Sequence, residues 1–205
     1  APSVDEGTYQ TLRSGIGEQE VFLAASTHAG EEALIIDAFP KLEPRPLLIV
    51  APRHPERGDE VNALLSCTKF NISRWSETRS IPRGTDVLLA DTMGEMGLWY
   101  RLANSVYLGG GHAPGVGGHN PLEALRLGKP ILTGPSLFNF SALTARLQQH
   151  SGFTIVDDAS ALIAAYPPAP VSDAMKDALE TDAKGPMAAT LAAINPILQR
   201  VGLKA

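Results

Sequence analysis

GGGHAPGVGGHNPLEALRLGKPILTGPSLFNF, residues 109–140, is the segment from which the fold of this chain is best inferred. A short β-prone run, residues 105–108, precedes it. Six of its first ten residues are glycines, which give the backbone access to conformations closed to other residues. The segment therefore begins as a strand that runs into a flexible loop.

The second part of this segment predicts a helix and then another strand. Asn120 is placed as N-cap, Pro121 as the first helical residue, and Glu123 as the residue that faces back to the cap. Gly128 ends this short helix, and a strand follows at 130–132. Because a helix N-terminus presents unpaired N–H groups and a positive dipole end, this loop suits an anion.

Outside this segment, short apolar runs alternate with helical stretches, a pattern typical of βαβ units and a parallel sheet. The pattern predicts an α/β fold. Strands are predicted at 21–25, 47–51, 70–75, 86–90, 105–108, 130–132 and 153–156. Helices are predicted at 31–39, 58–65, 92–103, 121–127, 141–150, 160–166, 172–179 and 186–201.

Composition excludes several classes of function. The 205 residues suffice to bury a good core, and we expect one large domain. A net charge of −5 argues against nucleic acid as a partner, since phosphate-backbone affinity needs a clustered basic surface. Cys67 is the single cysteine, which favours a reducing compartment. No apolar run approaches the roughly 20 residues that span a bilayer, so we expect a soluble chain.

Chemically useful side chains gather in the loops that follow four of the predicted strands. In an open parallel sheet, ligands bind outside the carboxyl ends of the strands, where these four loops meet. Four of the five histidines lie in them. The candidates are Ser26, Thr27, His28, Arg53, His54, Arg57, Asp91, Glu95, His112, His119, Asn120 and Glu123.

Several of these residues also have a purely structural explanation. The loop of His28 is equally explained by local side-chain hydrogen bonds. Arg53 lies in a turn stiffened by two prolines that aims it over the sheet edge, which favours a phosphate or carboxylate ligand over a solvated surface charge. Helix capping accounts for four others, Thr92, Glu95, Asn120 and Glu123. Capping does not need Gly94, Gly117 or Gly118, whereas close approach of a ligand to the backbone does.

Other motifs are absent or weak. The glycines from residue 109 do not form GxGxxG, and the chain has no GxxxxGK[ST], GxSxG or HExxH. Dinucleotide binding, P-loop phosphoryl transfer, α/β-hydrolase chemistry and zinc proteolysis are thus unsupported. A metal could be held by His112, His119, Asp91 and Glu123, but no pair of them has helical ligand spacing, so this hypothesis is weak.

Four motifs in order carry a resemblance to a known family. They are STHAGEE at 26–32, PRHPER at 52–57, DTMGEMG at 91–97 and GGHNPLEALRLGKPILTGPSLFNF at 117–140. With them the chain resembles the C-terminal half of the 3-deoxy-D-manno-octulosonic acid (Kdo) transferases, lipopolysaccharide enzymes of Gram-negative bacteria. One departure is Ala29, where the family often has glutamate.

The resemblance implies one half of a GT-B glycosyltransferase, with a Rossmann-like parallel sheet flanked by helices. Residues 1–19 would be an interdomain linker and leading segment, and residues 20–205 the domain that binds the donor, CMP-Kdo. The N-terminal domain of the full-length enzyme would bind a lipid A precursor, supply the catalytic base and attach to the cytoplasmic face of the inner membrane. This chain, a processed or excised piece, would be inactive alone. Transfer would be inverting, without metal or cofactor.

The resemblance also implies roles for particular residues. Pro52, Met93 and Gly94 would flank the cytosine, and Arg53 would stabilise the departing CMP. Asn120 and Glu123 would bind ribose or phosphate, and the ribose diol is the preferred partner of Glu123 because a carboxylate accepts two hydroxyl donors at once. The full set expected to bind the donor nucleotide is Ser26, Thr27, His28, Pro52, Arg53, His54, Met93, Gly94, Glu95, Gly118, His119, Asn120, Pro121 and Glu123.

Two alternatives stay open at this point. One is a GT-B enzyme half that uses UDP- or GDP-sugars, which a preference for uridine or guanosine nucleotides would reveal. The other is a non-catalytic module that binds an anion or a protein partner through the same glycine loops.

Overall fold

The structure is a computed structural model that describes residues 4–180. Within these residues, seven parallel strands form one sheet in the order β3-β4-β2-β1-β5-β6-β7. The strands are β1 Val21–Thr27, β2 Leu47–Pro52, β3 Ile72–Arg74, β4 Val87–Leu89, β5 Ser105–Leu108, β6 Ile131–Thr133 and β7 Phe153–Ile155. The α/β fold with a parallel sheet is confirmed.

Helices connect the strands and end the described chain. They are α1 Glu6–Ile16, α2 Glu31–Ala38, α3 Gly58–Ser66, α4 Trp75–Thr78, α5 Met96–Leu102, α6 Leu122–Arg126, α7 Ser141–Leu147 and α8 Ala159–Ala165, and residues 173–180 are also helical. Short 3₁₀ turns occur at Phe39–Lys41, Pro55–Arg57 and Phe138–Phe140. The helix predicted at 186–201 lies outside the described residues. None of the helices within residues 4–180 is long and apolar enough to cross a membrane.

The central strands are apolar on both faces because helices cover both faces of the sheet. Every residue of 21–25 is completely buried, as expected for a parallel strand covered on two sides. On one face Ile35 of α2, Val61 of α3 and Leu162 of α8 belong to one core cluster. On the other face the core includes Trp99 of α5 and Leu125 of α6.

This arrangement places a topological switch point between β1 and β5. The helix that follows β1 packs on one face of the sheet, and the helix that follows β5 packs on the other. The two strands are neighbours, so the connections that leave them diverge to opposite faces. In open α/β sheets the crevice at such a point is where ligands bind.

Helix α1 was not predicted. Two glycines within it lower its helix propensity, which concealed it in the sequence. Asp5 caps it by accepting from the Thr8 N–H at 2.7 Å, and Leu12 packs into the core. The guanidinium of Arg101 lies 4.1 Å from the ring centroid of Tyr9. Residues 6–16 therefore pack on this domain, while the interdomain role of residues 1–19 stays a prediction.

Candidate functional site

Three of the predicted histidines meet at the switch point. Nε2 of His28, which follows β1, lies 2.8 Å from Nε2 of His119, which follows β5. The planes of these two rings are 16° apart and their centroids 5.1 Å apart, and the ring of His54 stands edge-on to His28 at 5.9 Å. Residues 91 positions apart in sequence thus form one cluster at the carboxyl edge of the sheet.

Burial governs the charge of this cluster. It lowers the pKa of His28, although the nearby Glu31 carboxylate acts in the opposite direction. It also lowers the pKa of His119, and the neighbouring His28 and Arg53 lower it further. Both imidazoles are therefore neutral near neutral pH, since the ordinary value is about 6.5.

Arg53 differs sharply from Arg57, although the two lie in the same loop. Arg53 is exposed, its backbone N–H donates to Thr27 O at 2.9 Å, and its side chain has no hydrogen bond or ion pair within residues 4–180. Arg57 instead lies 2.8 Å from both Glu32 and Glu60. Arg53 is thus free to meet an anion, whereas Arg57 is held inside the protein.

A cavity of about 200 Å³ opens where β1, β2 and β4 end. Its lining includes Ser26, Pro52, Arg53, Met93 and Gly94, so the three residues expected to flank the cytosine line one cavity. The Met93 side chain is 72% exposed above it. A pyrimidine ring fits this volume. A larger cavity of about 340 Å³ lies at the amino ends of the strands, but half of its lining residues are prolines.

Glu31 fastens the loops that follow β1 and β5. Its carboxylate is 1% exposed. One oxygen accepts from the His28 N–H at 3.0 Å and the Gly110 N–H at 2.8 Å. The other accepts from the His112 N–H at 3.0 Å and the Tyr107 hydroxyl at 3.1 Å. The buried carboxylate thus accepts four hydrogen bonds, and these bonds connect the loop after β1 to the loop after β5.

The loops after β1 and β5 also approach each other closely at Gly109. A Cβ on Gly109 would lie 2.4 Å from the carbonyl oxygen of Ser26 and 2.8 Å from a Glu31 carboxylate oxygen. Ser26 itself has φ +54°, unusual for a residue other than glycine. The position at 109 therefore requires glycine for contact between two parts of the chain.

Contacts within the chain also explain Gly117 and Gly118, and this corrects the sequence interpretation. A Cβ on Gly117 would meet the ring of Phe138 at 2.5 Å, and one on Gly118 would meet Leu137 at 2.6 Å. Both residues have positive φ, so packing and backbone conformation suffice to require glycine. Gly94 shares the positive φ, at +83°, but differs in that a Cβ there would meet open space.

Two residues expected to bind the nucleotide have their side chains engaged within the protein. Thr27 is completely buried, and its hydroxyl donates to Glu32 at 2.9 Å. The Glu95 carboxylate accepts from the Trp75 indole and from Arg79, both at 2.9 Å, and from the Thr92 hydroxyl. In this arrangement the side chains of Thr27 and Glu95 support the site without facing a ligand.

The predicted helix caps are shifted. The capping box of Thr92 and Glu95 is wrong, because α5 begins at Met96 and Glu95 caps no backbone N–H with its side chain. Helix α6 begins at Leu122 with Pro121 at the cap position, and Asn120 Oδ1 accepts from the Leu122 N–H at 3.0 Å. Glu123 is exposed and makes no capping bond. Its carboxylate is therefore not occupied by the cap.

Asp91 anchors the loop that leads from β4 to the cavity. It accepts from Arg74 Nε at 2.5 Å and from the hydroxyl and N–H of Ser76. Burial alone would raise the pKa of Asp91, but the bonds from Arg74 and Ser76 outweigh it and hold this pKa below its ordinary value. Asp91 is thus a buried anion with a structural partner.

The structure does not assemble the metal site considered from the sequence. Within residues 4–180, no three His, Cys, Asp or Glu side chains are placed to hold one metal ion. Asp91 is bound to Arg74, and His112 contacts the Tyr107 hydroxyl at 2.8 Å.

Comparison with known proteins identifies relatives of this chain. It is 38% identical over 138 residues to 3-deoxy-D-manno-octulosonic acid transferase of Haemophilus influenzae, covering 66% of this chain and 32% of that protein. It is 40% identical over 134 residues to the Bordetella pertussis enzyme of the same name, covering 62% and 31%. The chain thus spans about a third of the length of these curated relatives. No protein-family model matches it.

A solved structure covers nearly the same unit. The crystal structure of the C-terminal CMP-Kdo binding domain of WaaA from Acinetobacter baumannii matches with a TM-score of 0.72 and 33% identity, covering 87% of this chain and 95% of that domain. The chain belongs to the Kdo transferase family. Membership confirms the resemblance found in the four motifs and the Rossmann-like fold expected from it.

For this member of the Kdo transferase family, sequence reasoning missed the residues that fasten the site. Glu31 was placed only in the predicted helix 31–39 and in the motif STHAGEE, and Tyr107 only in the predicted strand 105–108. The sequence did contain a hint of a further role for Glu31. Helix α2 begins with two glutamates, Glu31 and Glu32, although a single acidic residue is enough to complement the helix dipole. The roles of individual residues toward the nucleotide stay predictions.

Proposed function

We propose that this chain is the donor-binding domain of a Kdo transferase and binds CMP-Kdo at the carboxyl edge of its sheet. One observation carries the proposal. A cavity lined by Pro52, Met93 and Gly94 lies beside Arg53, a cation without a side-chain partner within the described residues. The related Acinetobacter baumannii domain, described as binding CMP-Kdo, has the same fold.

Each part of the nucleotide has a complementary partner in this arrangement. The cytosine enters the cavity, where Pro52 and Met93 offer apolar contact to its ring. Arg53 offers the phosphate a charge-assisted, bidentate contact. Asn120 and the exposed Glu123 carboxylate accept from the ribose hydroxyls, since a carboxylate accepts two donors at once.

The chemistry of transfer divides between this domain and the rest of the full-length enzyme. Negative charge grows on the phosphate as CMP leaves, and Arg53 stabilises that charge without a metal ion. A carboxylate base on the N-terminal domain activates the acceptor hydroxyl of a lipid A precursor, and the sugar is transferred with inversion. The full-length enzyme works at the cytoplasmic face of the inner membrane of a Gram-negative bacterium. This chain alone binds the donor without transferring Kdo.

Calorimetric titration with CMP, UMP and GMP in the presence of EDTA tests the proposal. We expect selective CMP binding that survives EDTA. Preference for UMP or GMP would instead establish a different GT-B donor domain, and absence of any nucleotide binding would favour a non-catalytic module.

A matched pair of variants tests the assigned cation. Arg53→Ala should weaken CMP binding by a few kcal/mol, because it removes a charge-assisted partner of the phosphate. Arg83→Ala, in the exposed loop before β4, removes the same charge away from the cavity and should leave binding unchanged. Equal affinities in the two variants would refute the role of Arg53.

A further inference from the structure

The bond between His28 and His119 constrains the number of protons that the pair carries. Two Nε2 atoms 2.8 Å apart form a hydrogen bond only when one proton lies between them. With two protons there, two N–H groups would face each other and the rings would separate. The bonded pair is therefore either neutral or singly charged.

The neutral pair leaves one acceptor nitrogen pointing away from the bond. The donor ring carries its proton on Nε2, so its Nδ1 has a free lone pair, and the acceptor ring carries its proton on Nδ1. Neither Nδ1 has a hydrogen-bond partner within residues 4–180. A second proton can thus be added at the free Nδ1 without breaking the bond, and the pair then presents two Nδ1–H donors and one positive charge.

The surroundings of the pair favour this change only when an anion arrives. His28 faces the carboxylates of Glu31 and Glu32 and, at its own edge of the sheet, the guanidinium of Arg57 and the imidazole of His54. His119 faces Arg53, Glu31 and, again, His54. The charges of Glu31 and Glu32 favour an imidazolium, but Glu31 is engaged with four donors and Glu32 with Arg57. Burial outweighs both carboxylates and keeps the pKa of both rings low.

We propose that the His28–His119 pair takes up one proton when the nucleotide phosphate binds, so that the pair carries a positive charge only when the site is occupied. This inference rests on the proposed function and extends it, because the pair becomes a phosphate-binding group beside Arg53. The anion stabilises the imidazolium, and the charged pair offers two Nδ1–H donors where the neutral pair offers one. Charge then accumulates where the departing CMP needs it.

The expected consequence is a pH dependence of CMP affinity. In the free protein the pKa of His28 and that of His119 are both lowered. A bound phosphate raises the pKa at which the pair takes up its additional proton. Binding is therefore strongest at low pH and weakens as the pH rises, by up to about tenfold per pH unit for one proton.

Calorimetry of CMP binding at pH 7.5 and 8.5, each in Tris and in HEPES, measures the affinity and the number of protons taken up. The second pKa of a phosphate monoester is about 6, so free CMP stays dianionic throughout. We expect uptake approaching one proton in the wild-type chain and in His150→Gln, a histidine outside the site. His119→Gln should bind CMP without this uptake and lose the pH dependence.

A spectroscopic measurement keeps the test independent of the folding of the variant. The ¹⁵N shifts of the imidazoles in the wild-type chain should show one protonated Nδ1 in the pair without CMP at pH 8 and two with CMP. CMP binding without proton uptake, or uptake that persists in His119→Gln, would overturn the inference while leaving the proposed function standing. Failure of any nucleotide to bind at either pH would overturn both.

Discussion

Replacing Glu31 by alanine should destabilise this chain more than most single substitutions do. The carboxylate is 1% exposed and accepts four hydrogen bonds, three from backbone N–H groups and one from a tyrosine hydroxyl. Alanine leaves all four donors without an acceptor at the junction of the loops after β1 and β5. The perturbation therefore acts on the fold and on the shape of the candidate site together.

The magnitude follows from the bonds lost. A hydrogen bond contributes about 1 kcal/mol net, and a buried donor left unpaired costs about 1–3 kcal/mol. Four bonds suggest a loss of about 3–4 kcal/mol, since relief from burying a charge and entry of water offset part of the penalty. Glu31→Gln keeps one oxygen, and its amide can donate to the Tyr107 hydroxyl, so one backbone N–H is stranded. We expect that variant to lose about 1–2 kcal/mol.

Urea unfolding gives these free energies, with Glu56→Gln as control because Glu56 is exposed and should change stability by less than about 0.5 kcal/mol. Amide hydrogen exchange adds a local readout. Protection at His28, Gly110 and His112 should fall in Glu31→Ala, because their N–H groups donate to the lost carboxylate. A Glu31→Ala variant as stable as the control would refute the role of Glu31 as the fastener of the two loops.

Three further predictions are tested in the same unfolding assay, the last of them with a control substitution. Arg57→Met should cost about 3–5 kcal/mol, because it leaves a buried glutamate without its cation; a loss below 1 kcal/mol would contradict the pairing. The low pKa of Asp91 stabilises the fold above about pH 4, and this contribution is lost as the pH falls further, so Asp91→Asn should flatten stability between pH 5 and 3. Gly109→Ala should lower stability by about 2 kcal/mol or more, because the added Cβ would clash with the backbone of Ser26. The control Gly15→Ala places its Cβ in open space within α1 and should raise stability by about 0.5–1 kcal/mol. Equal effects of the two substitutions would refute the close approach of Gly109 to Ser26.

Most of the strands were predictable because they are short, largely apolar runs, whereas β3, Ile72–Arg74, contains a serine and an arginine. The run at 21–25 is buried on both faces, so its composition alone marks it as central to a parallel sheet. The carboxyl-edge location of the site followed from the same pattern, since every loop after a parallel strand meets at one edge. The joint lining of one cavity by Pro52 and Met93 follows from the adjacency of β2 and β4, which sequence order did not reveal.

The predictions that were wrong or incomplete share a physical cause. In each case a residue has a plausible role among its sequence neighbours, but its actual contacts are with residues distant in the sequence. Glu95 fits a capping box locally, yet its carboxylate is taken by Trp75 and Arg79 from a different part of the chain. Gly117 and Gly118 suggested a ligand because their packing partners lie some 20 residues away. The role of Glu31 was hidden in the same way, since three of its four donors come from residues 107–112.

The site separates residues that shape it from residues that remain available to a ligand. Glu31, Thr27 and the glycine at 109 are buried and satisfied within the chain, so they hold the loops in place before any nucleotide arrives. Arg53 and Met93 are exposed beside the cavity that these loops form. Binding then requires little reorganisation of the backbone, which lowers its entropic cost. Substitutions in the first group should therefore reduce stability and affinity together, and those in the second should reduce affinity alone.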